Sequence, residues 1–111
     1  MQRSGDEALR YFLQEVQKRL GAHLKQVILF GSRARGDDVP GSDYDCLMVL
    51  DKVSPEIKDA IDEVAGAVLY RYNIVLSAFP ISEKKHCERI YDPFLMNIRK
   101  EGITLWKSAR S

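Results

Sequence analysis

The sequence predicts a small α/β (α+β) domain, in which helices flank a mixed β-sheet. Three short apolar runs support this fold class: LKQVILF (24–30), YDCLMVL (44–50) and YNIVLSAF (72–79). Each has the length and the β-branched or aromatic content of a buried strand. Segments with helical periodicity precede the first run and separate the second from the third. Helices that alternate with strands in this way predict one sheet with helices packed on it.

The predicted helices have recognisable boundaries. The first spans 6–20, and Gly21 ends it, as glycine commonly does. The second begins at Ser54-Pro55, where a serine cap precedes a proline in the first turn. The same logic predicts a short helix after Ser82, through about residue 90, and another from Asp92-Pro93. In that last helix Phe94, Leu95 and Ile98 are expected to face inward, with Gly102 past its end and a short edge strand at 103–106.

Size and composition limit the class of protein. The 111 residues form one predicted domain, 1–111, and 45% of them are hydrophobic. Seventeen basic and 16 acidic residues give a formal net charge of +1, which argues against a protein that coats nucleic acid. Cys46 and Cys87 are far apart and fit no metal-ligand spacing. Neither a signal peptide nor a membrane span is predicted, so a cytoplasmic location is expected.

A pair of carboxylates marks the start of the second apolar run. Asp43 and Asp45 are two residues apart, so in a strand both side chains lie on one face of the sheet. Neighbouring carboxylates repel each other unless a cation lies between them. Mg²⁺ suits such a pair because it prefers oxygen ligands and completes its shell with substrate phosphates. The pair is therefore a candidate catalytic and metal site.

The segment GSRARG follows the first apolar run and is a candidate phosphate site. Gly31 allows the backbone to approach a phosphate, and Ser32 can donate a hydrogen bond from its hydroxyl. Arg33 and Arg35 could hold phosphate oxygens through their guanidinium groups. A triphosphate held here, beside a metal on Asp43 and Asp45, would be placed for attack on its α-phosphate with pyrophosphate leaving.

GSRARG followed by SDYD resembles the signature of the minimal nucleotidyltransferases, small members of the DNA polymerase beta-like nucleotidyltransferase superfamily. The resemblance is sharp over residues 27–50. It implies a small mixed sheet with helices, an NTP substrate such as ATP, and Mg²⁺ on Asp43 and Asp45. Many relatives of this kind are antitoxins encoded with a HEPN-domain toxin, and some silence its RNase activity by transferring AMP onto it. A HEPN partner is therefore expected here, whereas membrane or direct nucleic-acid binding is not.

One departure from the family pattern is visible. Active members commonly carry a third carboxylate on a later strand, which helps to activate the attacking hydroxyl. The corresponding run, YNIVLSAF, contains neither Asp nor Glu, and its small polar side chains are Asn73 and Ser77. Two explanations remain open. Either the chain works with two aspartates, or it binds a nucleotide and inhibits its partner by contact without transfer.

Simpler interpretations stand beside these. Asp43 and Asp45 could be solvated residues of a turn, and Gly31-Ser32 a tight turn without a ligand. Arg33 and Arg35 could be ordinary surface arginines. His23 and His86 have no partner at ligand spacing, so exposed or structural roles are expected for them. The coupling of the glycine turn to the aspartate pair favours the functional interpretation of both elements.

Overall fold

A computed structural model describes residues 3–31, 44–89 and 91–108. Four strands and four α-helices make up these parts of the chain. In order they are α1 (Arg3–Leu20), a 3₁₀ turn (Gly21–His23), β1 (Leu24–Phe30), β2 (Tyr44–Leu50), α2 (Pro55–Tyr72), β3 (Leu76–Ser82), α3 (Glu83–Glu88), α4 (Pro93–Glu101) and β4 (Ile103–Lys107). None of the helices within the described part of the chain combines the length and the apolar composition that a bilayer span requires.

The strands form one sheet in the order β3-β2-β1-β4. β1 is antiparallel to both β2 and β4, whereas β2 and β3 are parallel and joined by the crossover helix α2. The predicted mixed sheet with flanking helices is thus confirmed. β1 and β2 have the bounds that the apolar runs predicted, and β4 is an edge strand as expected.

Helices cover both faces of the sheet, and each face has its own core. Side chains alternate along β2, so Cys46 and Met48 pack on one face, and Leu47 and Val49 on the other. The larger core contains the apolar residues of α1 and α2, including Phe12. The smaller core holds residues of α4 and consists of Ile28, Leu47, Val49, Leu95 and Ile98. Asp45 alternates in step with Leu47, so it lies on the face of the smaller core.

The predicted helix starts are confirmed by their capping contacts. The Ser54 hydroxyl accepts a hydrogen bond from the Ile57 N–H, and the Ser82 hydroxyl accepts one from the Lys85 N–H. The Asp92 carboxylate accepts from the Phe94 and Leu95 N–H groups. In α4, Leu95 and Ile98 are buried as expected, but the prediction for Phe94 was wrong, because its side chain remains 48% exposed. Its ring packs against Phe30 and Phe79 instead of entering the smaller core.

The third strand lies later in the chain than its apolar run predicted. The apolar run predicts one strand over 72–79, but α2 continues to Tyr72 and β3 begins only at Leu76. Asn73 ends the helix in the left-handed conformation, with φ 55°, and its N–H donates to the Leu69 carbonyl. Asparagine tolerates that conformation better than most residues, which makes it a common helix terminator.

β3 also continues through Pro80, although the predicted strand ended at Phe79. The N–H of Tyr44 donates to the carbonyl of Val75, so in a parallel pair the odd-numbered residues of β3 direct their backbone groups toward β2. Pro80 is an even-numbered residue of an edge strand, and the N–H that it lacks would point away from the sheet. Proline therefore costs no hydrogen bond to β2 at this position.

Candidate active site

One end of the sheet gathers the start of β2, the end of β1 and the start of β3. Phe30 lies opposite Asp45 in the antiparallel pair, and Ser77 lies opposite Asp45 in the parallel pair. Register partners on adjacent strands point to the same face of a sheet. Phe30, Asp45 and Ser77 therefore form a row of side chains across three strands, with the Asp45 carboxylate in the centre.

The turn that leaves β1 packs directly against this carboxylate. Gly31 has a φ of 83°, a conformation that L-residues with a side chain rarely adopt. A Cβ on Gly31 would lie 2.7 Å from Asp45 Oδ2, which is closer than such atoms approach in proteins. Glycine is thus required here twice, by its backbone conformation and by its contact with Asp45. The structure brings these two predicted site residues together.

The other predicted site residues belong to the segment 32–43. Ser32, Arg33, Arg35 and Asp43 lie outside the described residues. The described residues on either side of them, Gly31 and Tyr44, both lie at the end of the sheet where Asp45 lies. The roles predicted for these four residues stay predictions.

The register of β3 decides which polar residue accompanies Asp45. Of the two candidates in the apolar run, Asn73 ends α2 and is not part of β3. Ser77 is the register partner of Asp45 and is half-buried. A serine hydroxyl can donate and accept hydrogen bonds, but it is not a base at neutral pH. Ser77 thus occupies the position on the neighbouring strand from which a third carboxylate would reach the same space as Asp45.

Phe30 of this row also belongs to a cluster of three phenylalanine rings. Phe30 is 5.5 Å from Phe94 and 5.6 Å from Phe79 between ring centroids, and Phe79 is 6.3 Å from Phe94. The contacts of Phe94 with both other rings are T-shaped. Sequence reasoning missed this cluster because its members come from β1, β3 and the first turn of α4. The period-two alternation from Ser77 to Phe79 was a usable signal, but only once the bounds of β3 were known.

A cavity of about 940 Å³ opens beside the cluster. Phe79, Phe94 and Leu47 line its apolar part, and it continues along the edge strand β3. Basic side chains outnumber acidic ones on its walls: Lys52, Lys58, Lys84, Lys85 and Arg89 against Asp51, Asp62 and Asp92. Its size is within the range of small-molecule sites, which runs to about 1,000 Å³. Its lining includes Phe79 and Phe94 but neither Asp45 nor Ser77, and from these rings it extends toward the opposite end of the sheet, where β2 and β3 finish.

The donor atoms at this end of the sheet suit a hard cation. Asp45 and Ser77 offer oxygen atoms, the kind of ligand that Mg²⁺ prefers. Cys46, the next residue of β2, faces the opposite side of the sheet, where burial, followed by the charge of Asp45, raises the pKa of its thiol to about 12. That thiol is protonated at neutral pH and does not compete for the cation. Within residues 3–31, 44–89 and 91–108, no three His, Cys, Asp or Glu side chains are grouped closely enough to hold a metal.

Both histidines lie away from this row. The Nδ1 atom of His23 is 2.9 Å from Asp51 Oδ2, and the Asp51 N–H donates to the His23 carbonyl. Burial raises the pKa of the Asp51 carboxyl, but the His23 hydrogen bond and charge, together with Lys52 N–H and Lys25, outweigh it and lower that pKa. His86 is half-buried, and burial followed by the charge of Arg99 lowers the pKa of its imidazole. Both are consistent with the exposed or structural roles expected for them.

The nucleotidyltransferase domain model matches residues 9–104 of the chain, which include the whole row of Phe30, Asp45 and Ser77. The chain belongs to the nucleotidyltransferase family. This match confirms the resemblance drawn from GSRARG and SDYD. It also makes nucleotide transfer the kind of reaction that this nucleotidyltransferase performs.

Two predicted protein adenylyltransferases of Methanocaldococcus jannaschii are similar to this nucleotidyltransferase along nearly their whole length. One is 31% identical over 101 residues, covering 91% of this chain and 97% of the relative. The other is 38% identical over 99 residues, covering 87% and 94%.

Solved structures share the fold at lower identity. A crystal structure of a toxin–antitoxin with AMP-PNP contains a chain with a TM-score of 0.63 and 16% identity, covering 89% of the nucleotidyltransferase described here and 73% of that chain. A chain from tri-AMPylated Shewanella oneidensis HEPN toxin in complex with MNT antitoxin has a TM-score of 0.57 and 14% identity, with coverages of 96% and 75%.

Proposed function

We propose that this nucleotidyltransferase transfers AMP from ATP to a hydroxyl group of a HEPN-domain protein and acts as its antitoxin. The observation that carries the proposal is the contact between the Gly31 turn and the Asp45 carboxylate at the end of the sheet. A turn that exposes its backbone beside a carboxylate suits a phosphate chain and a cation together. The similarity to predicted protein adenylyltransferases supports adenylate as the group and a protein as the acceptor.

Each proposed site residue has a role in this reaction. Gly31 and Ser32 bind the terminal phosphates through backbone N–H groups and a hydroxyl. Arg33 and Arg35 hold phosphate oxygens. Asp43 and Asp45 would hold Mg²⁺, which, when bound, supplies positive charge to the triphosphate. The acceptor oxygen bonds to the α-phosphorus, the bond from that phosphorus to the bridging oxygen breaks, and pyrophosphate leaves. The hydroxyl proton passes to water.

The HEPN partner is proposed on two grounds. The motif resembles that of antitoxins encoded with HEPN toxins, and a chain of the same fold occurs in a complex of AMPylated HEPN toxin with MNT antitoxin. The described part of the chain also has no second lobe that could grip a large acceptor. A bound partner that presents its own hydroxyl fits this arrangement. A cytoplasmic location follows from the proposal, since the RNase to be silenced acts on cellular RNA.

A direct test uses α-labelled ATP, Mg²⁺ and the co-encoded HEPN-domain protein. We expect label on the partner with the wild-type chain, and at least a hundredfold slower labelling with Asp45→Asn or Asp43→Asn, since removing one carboxylate charge weakens the cation site. Asp59→Asn is a matched control, because Asp59 is an exposed residue of α2. Equal labelling by the wild type and the Asp45→Asn variant would overturn the proposed mechanism.

The second candidate function is inhibition of the HEPN RNase by contact alone. The presence of Ser77, rather than a carboxylate, beside Asp45 favours it. It predicts that the Asp45→Asn variant still binds the partner and still suppresses RNA cleavage. Measuring RNase activity with and without ATP separates the two functions, because inhibition by AMP transfer requires ATP and inhibition by contact does not.

A further inference from the structure

We propose that Phe79 and Phe94 form the nucleobase platform of this nucleotidyltransferase. The base of the bound nucleotide stacks on one of these rings and meets the edge of the other, since their planes are 70° apart, while its α-phosphate lies at Asp45. The inference rests on the proposed nucleotide transfer and assigns a binding surface for the part of the substrate that the phosphate and metal residues do not contact.

The two rings are exposed where a folded chain would ordinarily cover them. Phe79 is 42% exposed and Phe94 48%, although they touch each other and the half-buried Phe30. Phe30 packs against the smaller core and supports the other two rings from below. Adjacent exposed aromatic side chains of this kind mark a binding surface more often than single ones do. The face of one ring and the edge of the other together suit a flat aromatic ligand.

The distance from Asp45 to Phe79 matches the distance from the α-phosphate of a nucleotide to its base. Phe79 is two residues beyond Ser77 on β3, on the same face of the sheet as Asp45. With the usual strand spacing and rise per residue, its Cα lies roughly 8 Å from that of Asp45. A ribose separates the base of a nucleotide from its α-phosphate by a comparable length. A nucleotide whose α-phosphate lies at Asp45 can therefore place its base on these rings.

The direction of the reaction separates the base from the acceptor. The attacking and leaving oxygens lie roughly in line through the phosphorus. If pyrophosphate leaves toward the Gly31 turn at the end of β1, this line crosses the strands over Asp45 toward Ser77 on β3, and the proposal places the acceptor hydroxyl on that side. The bond from the α-phosphate to the ribose is roughly perpendicular to that line. One of the directions perpendicular to that line runs along the strands, toward Phe79 and Phe94.

The surroundings of the rings leave room for the base. Phe79 and Phe94 line the cavity of about 940 Å³, together with Leu47 and Leu95 from the smaller core. Apolar walls with a few polar groups are typical of sites that bury small ligands. A purine stacks on one ring over a larger area than a pyrimidine does and reaches the edge of the other, so the platform favours ATP over CTP or UTP.

The test compares binding of ATP with binding of inorganic tripolyphosphate, both with Mg²⁺, by isothermal titration calorimetry. Leucine at either position keeps the apolar volume but removes the aromatic face. We expect Phe79→Leu and Phe94→Leu to weaken ATP binding roughly 5- to 20-fold, the lower part of the range for loss of one stacked base. Tripolyphosphate affinity should remain unchanged, since its contacts are to the phosphate and metal residues. Phe94→Trp should bind ATP as tightly as the wild type, because tryptophan keeps an aromatic face at this position.

Tyr70→Leu is the matched control, since Tyr70 is 92% exposed on α2 and no part of the cluster. ATP affinity unchanged in both phenylalanine variants would overturn the platform. Unchanged ATP affinity with slower transfer to the partner would overturn it as well, and would assign the rings to the acceptor. A wild-type chain that binds neither ATP nor tripolyphosphate would overturn the proposed function, and the inference with it. Equal melting temperatures of the variants exclude misfolding as the cause.

Discussion

Ser77 lies directly beside Asp45 in the parallel pair of β2 and β3, and the two side chains share one face of the sheet. This relationship places a hydroxyl where the family pattern leads one to expect a carboxylate. It also makes the contribution of the third carboxylate testable by a single substitution, because the backbone position already exists.

We expect Ser77→Asp to accelerate AMP transfer at least tenfold at saturating Mg²⁺. General-base assistance contributes roughly 10²- to 10⁴-fold in enzymes that have it, and a grafted base gives only part of that. Ser77→Asn, which adds similar volume without charge, is the control and should not accelerate transfer. Initial rates of labelling with α-labelled ATP measure the effect. A Ser77→Asp variant no faster than wild type would mean that this position does not reach the acceptor hydroxyl.

Gly31→Ala should impair transfer more than it impairs folding. The new methyl group would meet Asp45 Oδ2 and would force a positive φ on alanine, which costs about 1 kcal/mol or more. The carboxylate has to move away, and its cation site is disturbed. We expect transfer to fall by two orders of magnitude or more, measured with the same labelling assay.

Gly66→Ala is the matched control for Gly31→Ala. Gly66 lies in α2, and nothing lies within 4 Å of the position of its Cβ. Alanine is the better helix former, so stability should rise by about 0.5–1 kcal/mol in urea unfolding, with transfer unchanged. A Gly31→Ala variant that retained full transfer would show that Asp45 does not need its present position.

The contact between His23 and Asp51 should make part of the stability depend on pH. The pKa of Asp51 is lowered in the folded state relative to its ordinary value of 3.8. Its stabilising contribution is therefore fully present above that value and is lost as pH falls through the lower folded pKa. Asp51→Asn should destabilise the chain by no more than about 1 kcal/mol at pH 6, because both side chains are partly exposed.

Urea unfolding of the wild type and Asp51→Asn at pH 6 and pH 3 measures this dependence. The difference between the two proteins should narrow at the lower pH. A difference that widened on acidification would contradict the lowered pKa. Lys52→Gln provides a control that changes a neighbouring charge but keeps the contact with His23.

The two thiols should differ in reactivity. Cys46 is fully buried with a pKa raised to about 12, whereas Cys87 is exposed, and both are free. Because the thiolate is the reactive form, iodoacetamide at neutral pH should modify one thiol of the folded chain and both after denaturation. Mass spectrometry of the intact protein counts the adducts. Modification of Cys46 in the folded chain would show that the larger core opens readily.

Much of the fold was predictable because its signals are local. The strands β1 and β2 are continuous apolar runs, and Ser54, Ser82 and Asp92 cap helices through contacts within three residues. β3 was misplaced because apolar content alone does not separate the last turn of a helix from the strand that follows it. Asn73 ends the helix through its left-handed backbone conformation, which the residue type alone does not predict.

In the site, too, the local features were predictable and the long-range ones were not. Gly31 and Asp45 were predicted from spacing, and the structure brings them together because β1 and β2 are antiparallel neighbours. The position of Ser77 beside Asp45 depends on the register of β3. The aromatic cluster joins residues up to 64 positions apart, from Phe30 to Phe94. Such relationships depend on long-range pairing and could not be predicted from any one segment of the chain.

Pro80 has a consequence for how this protein meets other chains. An edge strand can ordinarily accept another strand through its outward N–H and carbonyl groups. On β3 the outward row is interrupted at Pro80, where the donor is missing. A foreign strand cannot form a continuous ladder of backbone hydrogen bonds along this edge, which disfavours strand-by-strand association there. A chain that recognises this side of the molecule has to rely more on the shape and charge of side chains, which is a more selective form of recognition.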